Sequence, residues 1–455
     1  MTQKTKLTGT VIYPNDPEYK QARMNWNPFT NAFPIVFVFA QQDEDVANAV
    51  KWARENNVAI RIRSGRHALA KDFNQTDGGI VIDMGLMRNI MLDKTQGIAT
   101  VQAGIRVGPL VRLLAQEGVL APFGDSSTVG IGGISTGGGI TVVQRTTGLI
   151  SDNILAATVV DAKGELLYVS ENENPDLFWA IRGGGGGNFG IITSYTFTIR
   201  PAPFKVGIFT VIWPWEQINE VIDGWQRWSP SVDERLGTIL EAFSKTNGLL
   251  RSQGIFLGPK AELEKLITPL TDIGSPIKVF IDEVTLPEAI EFWAPNEPLF
   301  DTQNTAWSSA WAEQILPADG ITAIRSFLEK AKGMESNFFF LNSGGEMNRV
   351  PSEDTAFFWR NTKYYVEWDA SWTEESETQK NIKLVEQTRI NLQPYVIGSY
   401  VNVPDLNLKN YGQEYYGDNF ARLRKVKALY DPENVFNFIQ SIPPGPVCCD
   451  HWHKE

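Results

Sequence analysis

The sequence predicts an α+β fold divided into two domains. The chain has 455 residues, more than one hydrophobic core usually serves, so a second domain is expected and a large cofactor can be buried. Up to about residue 200, short helical and strand patterns alternate. From about Pro201 to Pro404 the texture changes to aromatic-rich strands, "FKVGIFTVIWPW" and "NTKYYVEWDASW", separated by amphipathic helices such as "ADGITAIRSFLEKAK".

In chain order, "DEDVANAVKWARENN" carries apolar residues at helical spacing, and "VAIRIR" follows as a short strand. "GGIVIDM" and "GIATVQAG" alternate as strands, and "VGPLVRLLAQEG" is a helix that Gly118 ends. "ILAATVVDAKGELLYVS" reads as a hairpin turning at Lys163-Gly164. Near the end "NFARLRKVKALY" is helical, and Pro432 in "DPENVF" stops it. No internal repeat or low-complexity block interrupts this order.

Composition narrows the partners. Acidic residues outnumber basic ones by 53 to 41, a net charge of −12, and no Lys/Arg run is interleaved with aromatics, which argues against nucleic acid or an anionic membrane. No segment has the length and apolarity of a membrane span. The acidic balance makes a small molecule the expected partner, and the start, "MTQKTKLTGTVIYPND", lacks a secretory h-region, so the expected location is cytoplasmic. The two cysteines, Cys448 and Cys449, are adjacent near the end; no disulfide framework staples the fold. Oligomeric state is left open.

Two glycine-dense stretches carry the first functional signal: "VGIGGISTGGGI" (129–140) and "RGGGGGNFGII" (182–192). Both abut apolar sequence, unlike flexible linkers, which points to folded backbone. Gly185, Gly187 and Gly190 satisfy G-x-G-x-x-G, but a helical pattern precedes the run and a strand pattern follows it, the reverse of a dinucleotide fold. Glycine permits close backbone approach and positive φ, and successive exposed N–H groups can cradle a pyrophosphate. An extended nucleotide cofactor across both runs fits.

With these residues in view, "RSGRHALA", "DSSTVGIGGISTGGGI", "GLISDNIL", "DLFWAIRGGGGGNFGIIT" and "YYGDNFARLRKVKALYDPENVFNFIQSIPP" closely resemble the FAD-linked oxidases of the berberine bridge enzyme type. The resemblance spans nearly the whole chain in the family's order, from Tyr19, Arg23 and Asn27 onward, with little signature between about 205 and 360. It implies a PCMH-type FAD-binding domain of two α+β subdomains over 1–200. A substrate domain over 201–404 adds an antiparallel sheet covered by helices, and 405–455 completes the FAD domain.

The resemblance also implies roles for single residues. His67 occupies the position of the histidine bonded covalently to the flavin 8α carbon; a neutral imidazole is chemically apt as the nucleophile. Around it Arg63, Ser64, Gly65 and Arg66 are cofactor-binding, with backbone N–H groups of Ser64 to His67 toward the diphosphate. The first glycine run contributes Ser126, Ser127, Val129, Gly130, Gly133, Gly137 and Gly139, the next motif Asp152, the second run Asn188, Gly190 and Ile192, and the C-terminal motif Tyr416 and Asn434. Arg66 stands where the family has a second glycine. Ser126 stands where many members carry a cysteine joined to flavin C6, so a single covalent link, through His67, is expected. Val129 takes the position that is small in members reacting with oxygen, which implies an oxidase.

Oxidation of an alcohol on a flavin needs a base beside the hydride-donating carbon. In "KYYVEWDASW" strand alternation places Tyr365, Glu367 and Asp369 on one face. Glu367 resembles the position of a catalytic Glu or Gln in plant members and is the favoured base, with a solvated or salt-bridged carboxylate as the alternative. Tyr400 and Asn402 in "GSYVNVPD" share a face and resemble the family's Y-x-N segment, although Val403 replaces a second tyrosine. A tyrosine base needs a cation to lower its pKa.

Trp293, Trp307, Trp311 and Trp359 are candidates to stack on sugar rings, against the plain alternative of core filling. The tail "CCDHWHKE" gathers Cys448, Cys449, His451 and His453, but adjacent cysteines suit one tetrahedral site poorly and no metal is expected. The expected activity is an FAD-dependent oxidase taking hydride from an alcohol (a sugar or secondary metabolite) or an amine, with O2 as acceptor and H2O2 as product. A dehydrogenase with another acceptor and a non-catalytic structural or coat-type protein are the alternatives.

Overall fold

The computed structural model describes residues 4–120, 122, 126–295 and 297–446. The four metal-ligand candidates of the tail lie outside the described residues. The N-terminal part holds two small sheets and a short antiparallel pairing of Val119–Leu120 with Arg200–Pro201. In the first, Thr10–Ile12, Val36–Phe39, Ile80–Asp83 and Ile60–Arg63 lie in that order, the last three parallel. The helix Asp43–Asn56 packs Val46, Ala49, Val50 and Ala53 against their Val and Ile side chains. Three acidic residues fill its first turn, where they face the positive end of the helix dipole, and Asn57 at φ 52° turns the chain out.

The second sheet is antiparallel, in the order Ile90–Asp93, Ile98–Gln102, Ile191–Thr198, Ile154–Val160, Leu166–Ser170. Its last two strands are the hairpin expected at Lys163-Gly164, with Gly164 at φ 74°. The helix Val107–Gln116 ends before Gly118, at φ 69°, as its sequence predicts. The strand Ile90–Asp93, too short to show clear alternation, was not apparent in the sequence.

The seven-stranded sheet is wholly antiparallel, in the order Lys278–Thr285, Lys205–Pro214, Leu249–Phe256, Leu236–Phe243, Asn337–Asn342, Tyr364–Trp372, Asn304–Ala312. Four helices, Ile218–Trp228, Lys260–Thr271, Ala318–Lys330 and Thr378–Leu392, cover one face. Trp225, Phe327, Phe338, Tyr364 and Trp368 are fully buried between sheet and helices. Each such side chain contributes about 2–3 kcal/mol of transfer free energy. The opposite face is the one turned toward the glycine runs: Tyr365 packs there with Trp311, Phe357 and Tyr400.

The C-terminal helices Tyr411–Tyr416 and Phe420–Tyr430 return to the N-terminal part, adding Tyr415, Tyr416, Leu423 and Val426 to the core around Val107, Phe178 and Tyr195. Fully buried Lys427 ties the segment down: its Nζ donates to the Asn188 carbonyl (2.6 Å), the Phe436 carbonyl (2.7 Å) and the Asp431 carboxylate (2.7 Å). A buried ammonium is tolerable only when paired and hydrogen-bonded in this way.

Candidate active site

A cavity of about 1000 Å³ runs between the glycine runs and the uncovered face of the large sheet. One wall is backbone. Gly130 approaches Gly65 so closely that a Cβ on either would collide with the other's amide nitrogen, whereas Gly133 faces open space. The first run contains a helical turn, Ile131–Thr136, where the sequence indicated only folded backbone. The second run bridges the helix Pro175–Ala180 and the strand Ile191–Thr198, with Gly185 and Gly187 at φ 83° and 76°. This is the reverse of a dinucleotide turn, as its flanks predict.

His67 sits on this wall. Its Nε2 is buried without a hydrogen-bond partner, and desolvation holds the imidazole pKa down to about 4, so the ring is neutral at physiological pH. Trp26 stacks on it at 4.3 Å between centroids and 19° between planes. Just before it, Arg63 is buried with Asp83 at 2.6 Å and leaves Nη1 unpartnered. Arg66 adopts φ 64° where a glycine would be unstrained. That costs a non-glycine residue about 1–2 kcal/mol. Its guanidinium reaches the Asp83 carboxylate (3.3 Å) and the Gln21 carbonyl (3.2 Å). A glycine cradle beside a neutral, orphaned imidazole fits FAD in both shape and donor chemistry.

The other wall is made of side chains. Along Tyr364–Trp372, Tyr364, Val366 and Trp368 enter the helix-covered core, and Glu367 lines the cavity. The Tyr365 hydroxyl donates to Glu367 Oε2 at 2.6 Å. Asp369 is buried behind it with Oδ1 unpartnered; burial, then the charges of Glu367, Glu335 and Asp301, push its carboxyl well above the usual range. Tyr400 and Asn402 also line the cavity, but on a turn rather than a strand. The Tyr400 hydroxyl accepts from the Gly139 amide (2.9 Å), the Ile140 amide (3.2 Å) and Asn402 Nδ2 (2.8 Å). Burial outweighs these donors and pushes its phenol pKa up to about 12, so Tyr400 is neutral.

Of the residues singled out in the sequence, Arg63, Ser64, Gly65, Arg66, His67, Ser126, Val129, Gly130, Gly133, Asn188, Gly190, Ile192, Glu367 and Tyr400 line this one cavity. Six others are absent from its lining. Ser127 Oγ accepts from the Glu297 amide, Gly137 backs onto Asn402, and Gly139 serves Tyr400. Asp152 forms a two-point ion pair with Arg360 (2.6 and 2.7 Å), Tyr416 donates to the Gly184 carbonyl, and Asn434 makes a left-handed turn at φ 53°. Ser126 Oγ donates to Glu297 Oε2 at 2.7 Å. Trp293 and Trp307 line the cavity; Trp311 fills the core and Trp359 donates to the Glu414 and Tyr415 carbonyls. Trp26 and Glu297 also line the cavity, and no motif in the sequence marks either.

Known proteins resemble the chain along its whole length. The family described as "FAD binding domain" matches residues 34–170, and that described as "Berberine and berberine like" matches 399–443. An uncharacterised FAD-linked oxidoreductase of Bacillus subtilis, YvdP, is 55% identical over 443 residues, 97% of this chain and 99% of the relative. Among solved structures, BBE-like 1 of Physcomitrella patens superposes with a TM-score of 0.89 at 28% identity, covering 96% and 97% of the two chains. A chitooligosaccharide oxidase superposes with a TM-score of 0.85 at 26% identity, covering 96% and 98%. Backbone cradle, orphaned histidine and whole-length likeness agree: the chain belongs to the berberine bridge enzyme-like family of FAD-linked oxidoreductases.

Proposed function

We propose that the protein is an oxidase that takes hydride from an alcohol carbon, with FAD held covalently through His67 alone and O2 as the final acceptor, giving H2O2. On this reading residues 1–200 and 405–455 hold the cofactor and 201–404 cover it. The observation that carries it is that His67, in the loop after the strand Ile60–Arg63, and Glu367, on the seven-stranded sheet, line one cavity.

When bound, FAD supplies the two-electron acceptor for the substrate hydride. Glu367 takes the hydroxyl proton, and Tyr365 fixes the carboxylate through its 2.6 Å hydrogen bond. Neutral Tyr400, whose oxygen is held by three N–H donors, keeps its own proton to offer to the substrate oxygen. Trp293, Trp307 and Phe339 give apolar faces for a ring to lie against. The structural likeness to a chitooligosaccharide oxidase supports a sugar, oxidised at a hydroxyl-bearing carbon, as substrate. Ser126 cannot form the thioether a cysteine would, and its hydroxyl is engaged with Glu297.

The test begins with acid precipitation. Yellow colour should stay in the wild-type pellet and leave the His67→Ala pellet; colour released from both overturns the covalent link. Peroxide formation is then screened over sugar and aryl alcohols in air. Turnover only under nitrogen with an artificial acceptor would make the protein a dehydrogenase. An unaltered rate in both Glu367→Gln and Tyr400→Phe would remove the assigned acid-base groups.

A further inference from the structure

The strand Lys278–Thr285 forms one edge of the seven-stranded sheet and pairs, among the described residues, only with Lys205–Ile212. Its outer side presents backbone N–H and C=O groups able to accept another strand. Natural edges are usually blunted by shortness, proline or dense charge. This one is eight residues long without a proline, its charges are Lys278, Asp282 and Glu283, and Val279 and Phe280 are 46% and 38% exposed.

The order of side chains along this edge is self-complementary. Lys278, Phe280 and Asp282 pair with Ile212, Thr210 and Ile208 and share their face of the sheet; Val279 and Ile281, opposite Val211 and Phe209, share the helix-covered face. Consider a second copy of the strand laid antiparallel along the edge, about a two-fold axis at Phe280. Phe280 then meets its own counterpart, Lys278 meets Asp282 on both sides of it, and Val279 meets Ile281 on the other face. A one-residue slip would set each residue against the opposite face, and a parallel copy would set Lys278 against Lys278. Asp282 Oδ1 accepts from the Glu283 amide (2.8 Å) and has Lys260 Nζ at 4.0 Å, the outer limit of an ion pair, which leaves Oδ2 to face a second cation.

We propose that this edge binds a second copy of the chain, joining two seven-stranded sheets into one continuous sheet across a two-fold axis. The interface lies on the outer edge of the large sheet, and Lys278, Phe280 and Asp282 are absent from the cavity lining. Its failure would therefore leave the flavin reading untouched.

Sedimentation velocity of the full-length flavin-loaded protein tests it, at concentrations up to about 100 µM so that a micromolar interface is populated. The wild type should sediment as a dimer. Lys278→Glu places like charges opposite each other twice per interface and should weaken association by about tenfold or more. Phe280→Lys should do the same by crowding two cations at the axis. The double variant Lys278→Glu with Asp282→Lys restores opposite charges and should recover the dimer, while flavin absorbance and thermal midpoint report that each variant is folded. A monomeric wild type overturns the proposal. So does a dimer indifferent to Lys278→Glu and Phe280→Lys, or a double variant no better than Lys278→Glu alone.

Discussion

The two walls of the cavity are built on opposite principles. The glycine wall is made by what is missing: Gly65 and Gly130 bring two backbone segments into contact that any side chain would separate. The sheet wall is made by what projects from it: Glu367, Trp307 and Phe339 stand on strands whose backbone pairing would be much the same with other residues. The difference teaches where each kind of change should register. Altering the first wall changes whether the protein folds around its cofactor; altering the second changes what the folded protein does.

Breaking the first wall gives the largest effect. Gly130→Ala forces its Cβ into the Gly65 amide and Ser64 Oγ, and should cost about 3 kcal/mol or more with loss of flavin incorporation. Gly133→Ala, three residues on and facing the open space of the cavity, should leave the thermal midpoint of the flavin-free chain unchanged. That midpoint distinguishes the two variants; equal loss in both would show that the close approach is not what matters.

Glu367→Gln should lower turnover by about 10²–10⁴-fold, the usual contribution of a positioned acid-base group, with flavin content unchanged. A coupled loss of flavin would blur the contrast between the walls. Tyr365→Phe, which removes the 2.6 Å donor to that carboxylate, should have a smaller effect on turnover, about tenfold, and shift the pH–rate profile because a hydrogen bond to the ionised form is lost.

The last expected effect, absent at neutral pH, is a pH dependence of stability arising from His67. Its pKa is about 4 in the folded chain, lowered by desolvation, against about 6.5 when unfolded. Between those values the unfolded chain binds a proton that the folded chain refuses. The contribution is therefore fully present above pH 6.5 and is lost as pH falls toward 4. Denaturant titrations of flavin-free protein across that window should show a shallower slope in His67→Gln than in the wild type.

The legible parts of the site were those with a local backbone cause. The glycine runs announced themselves by density, and the helix before and strand after the second run excluded a dinucleotide turn. His67 stood out within its motif, and the alternation of 364–372 correctly separated Tyr364, Val366 and Trp368 from the cavity side. The parts that were not legible depend on distant partners. Asp152 belongs to a motif, yet its carboxylate is occupied by Arg360, 208 positions away. Ser126 was readable as a missing cysteine but not as a donor to Glu297, 171 positions away. Trp26 has no motif, and only folding lays it on His67.

By itself the sequence determined the α+β class, the order of elements, the glycine cradle, the histidine beside it and the family. These follow from periodicity, from the steric demands of glycine and from short motifs, all of which act over a few residues. Only the tertiary structure decided that Glu367 faces the cavity that His67 faces, that Tyr365 holds it, and that burial keeps Tyr400 protonated. Desolvation and hydrogen-bond partnership are sums over neighbours from every part of the chain, and those neighbours exist only once the two walls have closed.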